Sequence, residues 1–529
     1  MNHLLTVADA VATHARLQPN KVAARDSRRT LTFAQWHERA SRLANGLLAL
    51  GLVKGDRVAL LAYNCIEWLE MYAALARAGL VAVPINFRLT SPEIGFIAAH
   101  CEARAFIVQQ ELLDRVDPIR AELVVAPQAY ICLGSPAPAA PAAPAAPVGW
   151  QDFEALIAAA SAHPPPVVVL PTDPCALMYT SGTTGQPKGA IRSHEGNTLI
   201  ALATALEMGF TRQDTALLVM PMCHANSLYF SHTFIHLGAT CVIDDRKSFD
   251  PEALLATLAR EKVTFTSLVP THYIMMLGLP EATKARHDVS AVEKLMISSA
   301  PARKDTKLAI LAQFRNGSLY ELYGSTEAGW VTLLRPDEQI DKLGSVGREW
   351  AGSGAIRLLD PDGQEVPDGE IGELYSRTPY VFDGYWKNAE KTAEAFSDGA
   401  CSVGDMARRG ADGYITLVDR KSNMIISGGE NVYPSEVESI FGAHPKVKDV
   451  AVIGVPHDKW GEAVQAVIVL HAGQQATAAE MLDWCRSRMA GYKRPQTIVF
   501  VADPDMPRTA TGKILHRVLR DRMSAPVAN

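Results

Sequence analysis

The chain has 529 residues, too many for a single hydrophobic core, so two or more domains are expected. With 48% hydrophobic and 20% charged residues it belongs to neither the disordered nor the fibrous class. A formal net charge of -6 excludes any general attraction to nucleic acid or to an anionic membrane. The eight cysteines are scattered, without a C-x-x-C pair or zinc-like spacing, as expected for reduced core thiols. The N-terminus lacks a basic segment followed by an apolar core, and no apolar run approaches the roughly 18 residues that span a bilayer. A soluble, cytoplasmic protein with no stable membrane anchor is expected.

Residues 31–50 set Phe33, Trp36, Ala40, Leu43, Leu47 and Leu50 at helical spacing, and Gly51 ends the helix. A strand at 57–62, a helix at 66–77 stopped by Gly79 and a strand at 81–85 follow. Ser91-Pro92-Glu93 reads as an N-cap with proline at the first helical position, ahead of a strand at 105–108. This alternation predicts doubly wound α/β layers. Residues 135–148 are a Pro/Ala-rich run that cannot build a core, and they read as an exposed surface loop within the same domain.

An apolar run at 176–178 predicts a buried strand leading into the loop Tyr179-Thr180-Ser181-Gly182-Thr183-Thr184-Gly185-Gln186-Pro187-Lys188-Gly189-Ala190. Beyond it come a helix at 197–208, a strand at 216–220 ending in Pro221-Met222-Cys223-His224, and a helix opened by Asp250-Pro251. Strands at 263–269 and 293–299 precede a run at 319–323 that leads into Gly324-Ser325-Thr326-Glu327. Past residue 344 the turn signals Pro361-Asp362-Gly363 and Pro367-Asp368-Gly369 predict hairpins of a β subdomain. A small α+β unit then begins, with a helix at Tyr433-Pro434-Ser435-Glu436 and strands at 450–455, 464–470 and 498–501. The expected architecture is α/β: a large N-terminal domain, 1–419, with its β subdomain at 344–418, and a small mobile α+β C-terminal domain, 420–529.

The loop after Tyr179 carries the clearest chemistry. Gly182, Gly185 and Gly189 let backbone N–H groups approach a ligand closely. Thr180, Ser181, Thr183 and Thr184 add hydroxyls, and Lys188 adds a cation. The combination suits an oligophosphate, but it is not a Walker A loop, because Pro187 stands where that pattern needs its second glycine.

Together with Ser299-Ala300-Pro301, Glu321-Leu322-Tyr323, Gly324-Ser325-Thr326-Glu327, Asp405, Arg420 and Pro507 to Lys513, this loop resembles the motif set of an acyl-CoA synthetase of the adenylate-forming superfamily. The resemblance implies activation of a carboxylic acid by ATP to an acyl-adenylate, then thioester formation with coenzyme A. It implies that Lys188 and the loop hydroxyls hold phosphates, and that Thr180 and Glu327 lie nearest a Mg²⁺ ion. Ser299, Ala300, Pro301 and Glu321 would recognise adenine with Tyr323 stacking on the base, beside Gly324, Ser325 and Thr326. Asp405 would accept the ribose hydroxyls, Arg420 would contact the ribose and phosphate side of the nucleotide, and Lys513 would bridge carboxylate and α-phosphate. Ser427-Gly428-Gly429 would face the site during thioester formation after a domain rotation about Ser422, and His224 would mark the entrance of the acyl pocket.

The segments 225–229, 298–300 and 324–330 that would line that pocket are mostly small or apolar, without a basic residue placed for a second carboxylate. A hydrophobic monocarboxylate is expected, fatty or alicyclic by preference, with fatty acid metabolism as its setting. An aryl acid such as a cinnamate or benzoate is the alternative, as is loading of a carrier protein. Partners are confined to the acid, ATP and coenzyme A, with no nucleic acid; a homodimer is compatible with this reading.

Overall fold

The computed structural model describes residues 6–134, 146–180, 187–298, 302–427, 430–457, 460–486, 488–508 and 512–524. Most of the Pro/Ala run lies outside the described residues. The chain divides into two compact units, residues 1–355 with 376–401 and residues 356–375 with 402–529. The border expected at 419–422 falls inside the second. The reason is strand pairing: Asp405–Arg409 and Ile415–Arg420 form one antiparallel sheet with Ile371–Tyr375 and Arg357–Leu359. That sheet is tied onward where the Ser435 amide donates to Asp419 at 2.8 Å. Ser422, the expected pivot, is exposed in a turn closed by Asn423 N to Arg420 O at 2.9 Å.

The first unit is built on two large, mostly parallel sheets, as the alternation of elements predicts. An eight-stranded sheet runs in the order Gly384–Tyr385, Lys188–Ser193, Pro174–Thr180, Val81–Pro84, Arg57–Leu61, Ala103–Gln109, Tyr130–Leu133 and Gln151–Asp152. Only its first two strands are antiparallel to their neighbours. The nine-stranded sheet has a parallel centre of Ser318–Ser325, Lys294–Ser298, Phe265–Leu268, Thr215–Leu218, Thr240–Ile243 and Val22–Arg25. The parallel arrangement buries both faces, which is why these strands read as short apolar runs.

Local signals explain the helices. Phe33–Ala49 buries Phe33, Trp36, Ala40, Leu43 and Leu47, and Thr32 caps it by accepting from the Gln35 amide at 3.3 Å. Glu67–Ala78 stops at Gly79, whose φ of 66° is the left-handed conformation glycine adopts without strain. The next helix, Ser91–His100, is capped by Thr90 and not by Ser91. Glu93, three residues on, accepts from the Thr90 amide at 2.8 Å, so the motif is a capping box shifted by one residue.

In the second unit, Val447–His457 and Gly461–Leu470 form a long antiparallel hairpin, joined by Ile425–Ser427 and Thr497–Phe500. The helix Pro434–Gly442 starts where its Tyr-Pro-Ser-Glu signal expects. Among the described residues no helix is long and apolar enough to cross a membrane, and all eight cysteines are free thiols.

An aromatic cluster under the nine-stranded sheet sets Phe265 4.7 Å from Phe230 and 4.9 Å from Phe210, centroid to centroid. Phe265→Ala is expected to cost about 3–5 kcal/mol of stability in urea unfolding. Leu206→Ala, at a site 78% exposed, should change it by less than about 0.5 kcal/mol.

Candidate active site

The strand Pro174–Thr180 does not lead to a helix directly. The chain returns antiparallel as Lys188–Ser193, with Thr180 opposite Lys188 and Tyr179 opposite Gly189. The two ends of the glycine-rich loop are therefore a cross-strand pair. Ser181, Gly182, Thr183, Thr184 and Gly185 lie outside the described residues. This strand was not legible beforehand, because Lys-Gly-Ala-Ile-Arg-Ser has no alternation and buries an arginine.

Glu327 sits in a tight hairpin between Ser318–Ser325 and Gly329–Leu334. Any Cβ on Gly324 would lie 2.3 Å from the Gly329 carbonyl oxygen, so the strands approach this closely only with glycine there. Within the turn the Ser325 hydroxyl accepts from the Ala328 amide at 2.9 Å. The Thr326 carbonyl accepts from the Tyr229 hydroxyl at 3.1 Å, and the Glu327 carbonyl from the Phe382 amide at 2.7 Å. Arg192, with no exposed surface, lies beneath the turn, 3.4 Å from the Glu327 carbonyl oxygen. The Glu327 side chain is buried, and its Oε1 accepts from Thr180 Oγ1 at 3.1 Å and from Tyr385 at 2.9 Å. Thr180 and Glu327, expected together from sequence, are together.

Tyr323 is half-buried on the strand that feeds this turn. Glu321 is a buried residue, 4% exposed, whose carboxylate is paired with Lys307 at 2.5 Å. Burial raises its carboxyl above the usual range, against the pull of the Lys307 ammonium. Lys307 lies on the helix Lys304–Gln313, and the pairing is long-range, without a signal in the local pattern. Ser299, Ala300 and Pro301 lie outside the described residues.

On the acyl side, His224 N-caps the helix Ala225–Leu237. Burial, helped by the Arg88 charge, pushes its imidazole down to about 4, so it is neutral at physiological pH. The amide of Asn226 donates to Ser267 and to Ser298, both at 3.0 Å. Ser298 is the last residue of Lys294–Ser298 and Ser267 the next to last of the adjacent parallel strand Phe265–Leu268, at the carboxyl edge where open α/β sheets bind ligands. Tyr229, expected along this pocket, is fully buried and supports the Thr326 carbonyl instead.

In the second unit Arg420 Nε lies 3.0 Å from Asp405 Oδ1, across paired strands. Lys513 is exposed along much of its length, but its ammonium end is crowded. That crowding, then the Arg420 charge, holds it below the usual lysine range, with Asp405 and Asp419 opposing. Gly428 and Gly429 lie outside the described residues.

Residues 11–386 match the AMP-binding enzyme family, and residues 436–513 match the AMP-binding enzyme C-terminal domain. The chain belongs to the AMP-binding enzyme family. A feruloyl-CoA synthase from an Amycolatopsis species is 38% identical over 96% of this chain and 97% of its own. The long-chain-fatty-acid–CoA ligase FadD13 of Mycobacterium tuberculosis is 34% identical over 94% of each. An anthranilate CoA ligase in complex with anthranoyl-AMP superposes with a TM-score of 0.86 at 28% identity, over 99% of this chain and 98% of that one.

This AMP-binding enzyme is an ATP-dependent acid–CoA ligase that uses ATP, Mg²⁺ and coenzyme A. The paired carboxylate and hydroxyl of Glu327 and Thr180 fit Mg²⁺, which takes one or two carboxylates and completes its shell from phosphate and water. Among the described residues no cluster of three or more His, Cys, Asp or Glu could hold a metal by itself. Tyr385, Arg192 and Lys307 escaped the sequence reading; only Tyr385, in the aromatic run Gly384-Tyr385-Trp386, carries a local hint.

Glu321→Ala should destabilise the enzyme by about 3–5 kcal/mol, because it strands a buried ammonium. Adding Lys307→Met should recover most of that, with the ATP KM within a few-fold of the parent. Recovered stability with a large rise in ATP KM would return the Glu321 carboxylate to adenine recognition.

Proposed function

We propose that the acid is a carboxylate on an aromatic framework with a hydrogen-bonding substituent, and that the residues above divide the reaction as follows. Lys188 and the loop hydroxyls hold the β- and γ-phosphates, and Thr180 and Glu327 would hold Mg²⁺, which when bound neutralises phosphate charge. Tyr323 offers a ring face to adenine. Asp405 accepts the ribose hydroxyls, with Arg420 fixing that carboxylate. Lys513 keeps a positive charge where the acid carboxylate meets the α-phosphate, the point at which like charges would otherwise oppose attack. Gly428 and Gly429 give the pantetheine arm close passage along backbone. His224, neutral, is no general base, and acts as a flat wall at the pocket entrance.

The observation that carries the substrate class is the Asn226–Ser267–Ser298 cluster. The two serines are already buried and accept from Asn226, so an alkyl chain laid against the cluster would leave only its remaining hydrogen-bonding capacity, the serine O–H donors and the Asn226 carbonyl, without new partners. A phenolic or similar substituent would satisfy them. The 38% identity to a feruloyl-CoA synthase supports this reading over the fatty one. Free buried thiols and the absence of a membrane-length helix among the described residues support a cytoplasmic location.

A panel of acids scored for coenzyme A-dependent AMP formation tests the substrate. Hydroxylated cinnamates should exceed unsubstituted cinnamate and C8–C16 fatty acids by about 10–100-fold in kcat/KM, and Asn226→Leu should erase the margin. Fatty acids as best substrates would return the assignment to alkyl acids. For the nucleotide chemistry, Lys513→Ala should nearly abolish pyrophosphate release, yet leave thioester formation from pre-made acyl-adenylate largely intact. Because the Lys513 ammonium is held below the usual range, adenylation should be sensitive to alkaline pH. It should fall as pH rises through that lowered pKa, before an ordinary lysine near about 10.4 would titrate.

A further inference from the structure

We propose that Tyr385 is a positioning residue that couples Glu327 to Lys188, setting the metal-binding carboxylate and the phosphate-binding cation from one ring. This rests on the reading of Glu327 as a Mg²⁺ ligand and Lys188 as a phosphate contact. The Tyr385 hydroxyl donates to Glu327 Oε1 at 2.9 Å, and Thr180 donates to the same atom at 3.1 Å. Both bonds fall on Oε1, so they fix the plane of the carboxylate while engaging neither lone pair of Oε2. The face of the same ring lies 4.3 Å from Lys188 Nζ, within cation–π range. One side chain thus touches two groups whose charges are opposite and whose tasks are adjacent.

Tyr385 is itself firmly held. It is 7% exposed and sits on a two-residue strand paired with Lys188–Ser193, Tyr385 opposite Ala190. Its amide donates to Thr392 Oγ1 at 2.9 Å, and the Trp386 amide to the Gly189 carbonyl at 2.8 Å. Phe382 packs edge-on against its ring at 4.8 Å. Such a frame lets the ring act as a fixed reference for two longer, more flexible side chains. The phenol makes no step of the reaction; it removes orientational freedom from groups that do.

Two substitutions separate its two contacts. Tyr385→Phe removes the bond to Glu327 and keeps the ring under Lys188; Tyr385→Leu removes both. The Mg²⁺ dependence of pyrophosphate exchange is measured, together with calorimetric binding of ATP in EDTA and in Mg²⁺. Tyr385→Phe is expected to raise the Mg²⁺ concentration for half-maximal exchange about tenfold, with metal-free ATP binding and the KM for coenzyme A unchanged. Tyr385→Leu should additionally weaken metal-free ATP binding about tenfold. An unchanged Mg²⁺ requirement in Tyr385→Phe overturns the proposal, as does a uniform loss across all parameters, which would mark a merely structural residue. If Tyr385→Leu fails to fold, the Mg²⁺ requirement of Tyr385→Phe decides alone. Glu327→Gln is the control: if it leaves Mg²⁺ dependence unaltered, the metal reading itself fails and the Tyr385 proposal falls with it.

Discussion

A carboxylate at 7% exposure must find hydrogen-bond donors, and the way Glu327 finds them ties together distant segments of the first unit. One donor comes from the strand before the phosphate loop, and the other from a two-residue strand some two hundred positions later. The turn that carries the carboxylate is held from below by Tyr229, Arg192 and the Phe382 amide. Moving the Thr180 or the Tyr385 strand would take a donor from the carboxylate, and moving any of the other three would take one from the carbonyls of its turn. The eight-stranded sheet, its antiparallel edge and the turn of the nine-stranded sheet therefore share a single point of registry.

The second unit solves a different electrostatic problem. Arg420 is paired with Asp405, so that carboxylate is oriented and partly neutralised. Lys513 faces a competing balance, with burial and Arg420 favouring proton loss and Asp405 and Asp419 favouring retention.

Much of this molecule could be read from residue order. The helix at Phe33–Ala49, the stop at Gly79, the helix at Pro434 and the parallel sheets all follow from spacing and caps acting over a few residues. Even the neighbourhood of Thr180 and Glu327 was implied by motif resemblance. Small misreadings, such as Ser91 for Thr90 as a cap, came from placing proline at the first position when Glu93 set the frame.

Sequence alone determined many of the strands and helices, that the protein handles an oligophosphate, and the family whose motifs it carries. Those properties depend on side-chain periodicity and on short backbone geometries that are complete within a loop. Tertiary structure decided that Glu321 answers Lys307, that Arg192 is buried beneath the Glu327 turn, and that Tyr385 touches both Glu327 and Lys188. It also decided that residues 356–375 and 402–418 of the β subdomain are compact with the C-terminal residues. The partner of a buried charge is fixed by strand order and register across the whole sheet, and no local pattern of residues encodes that distance.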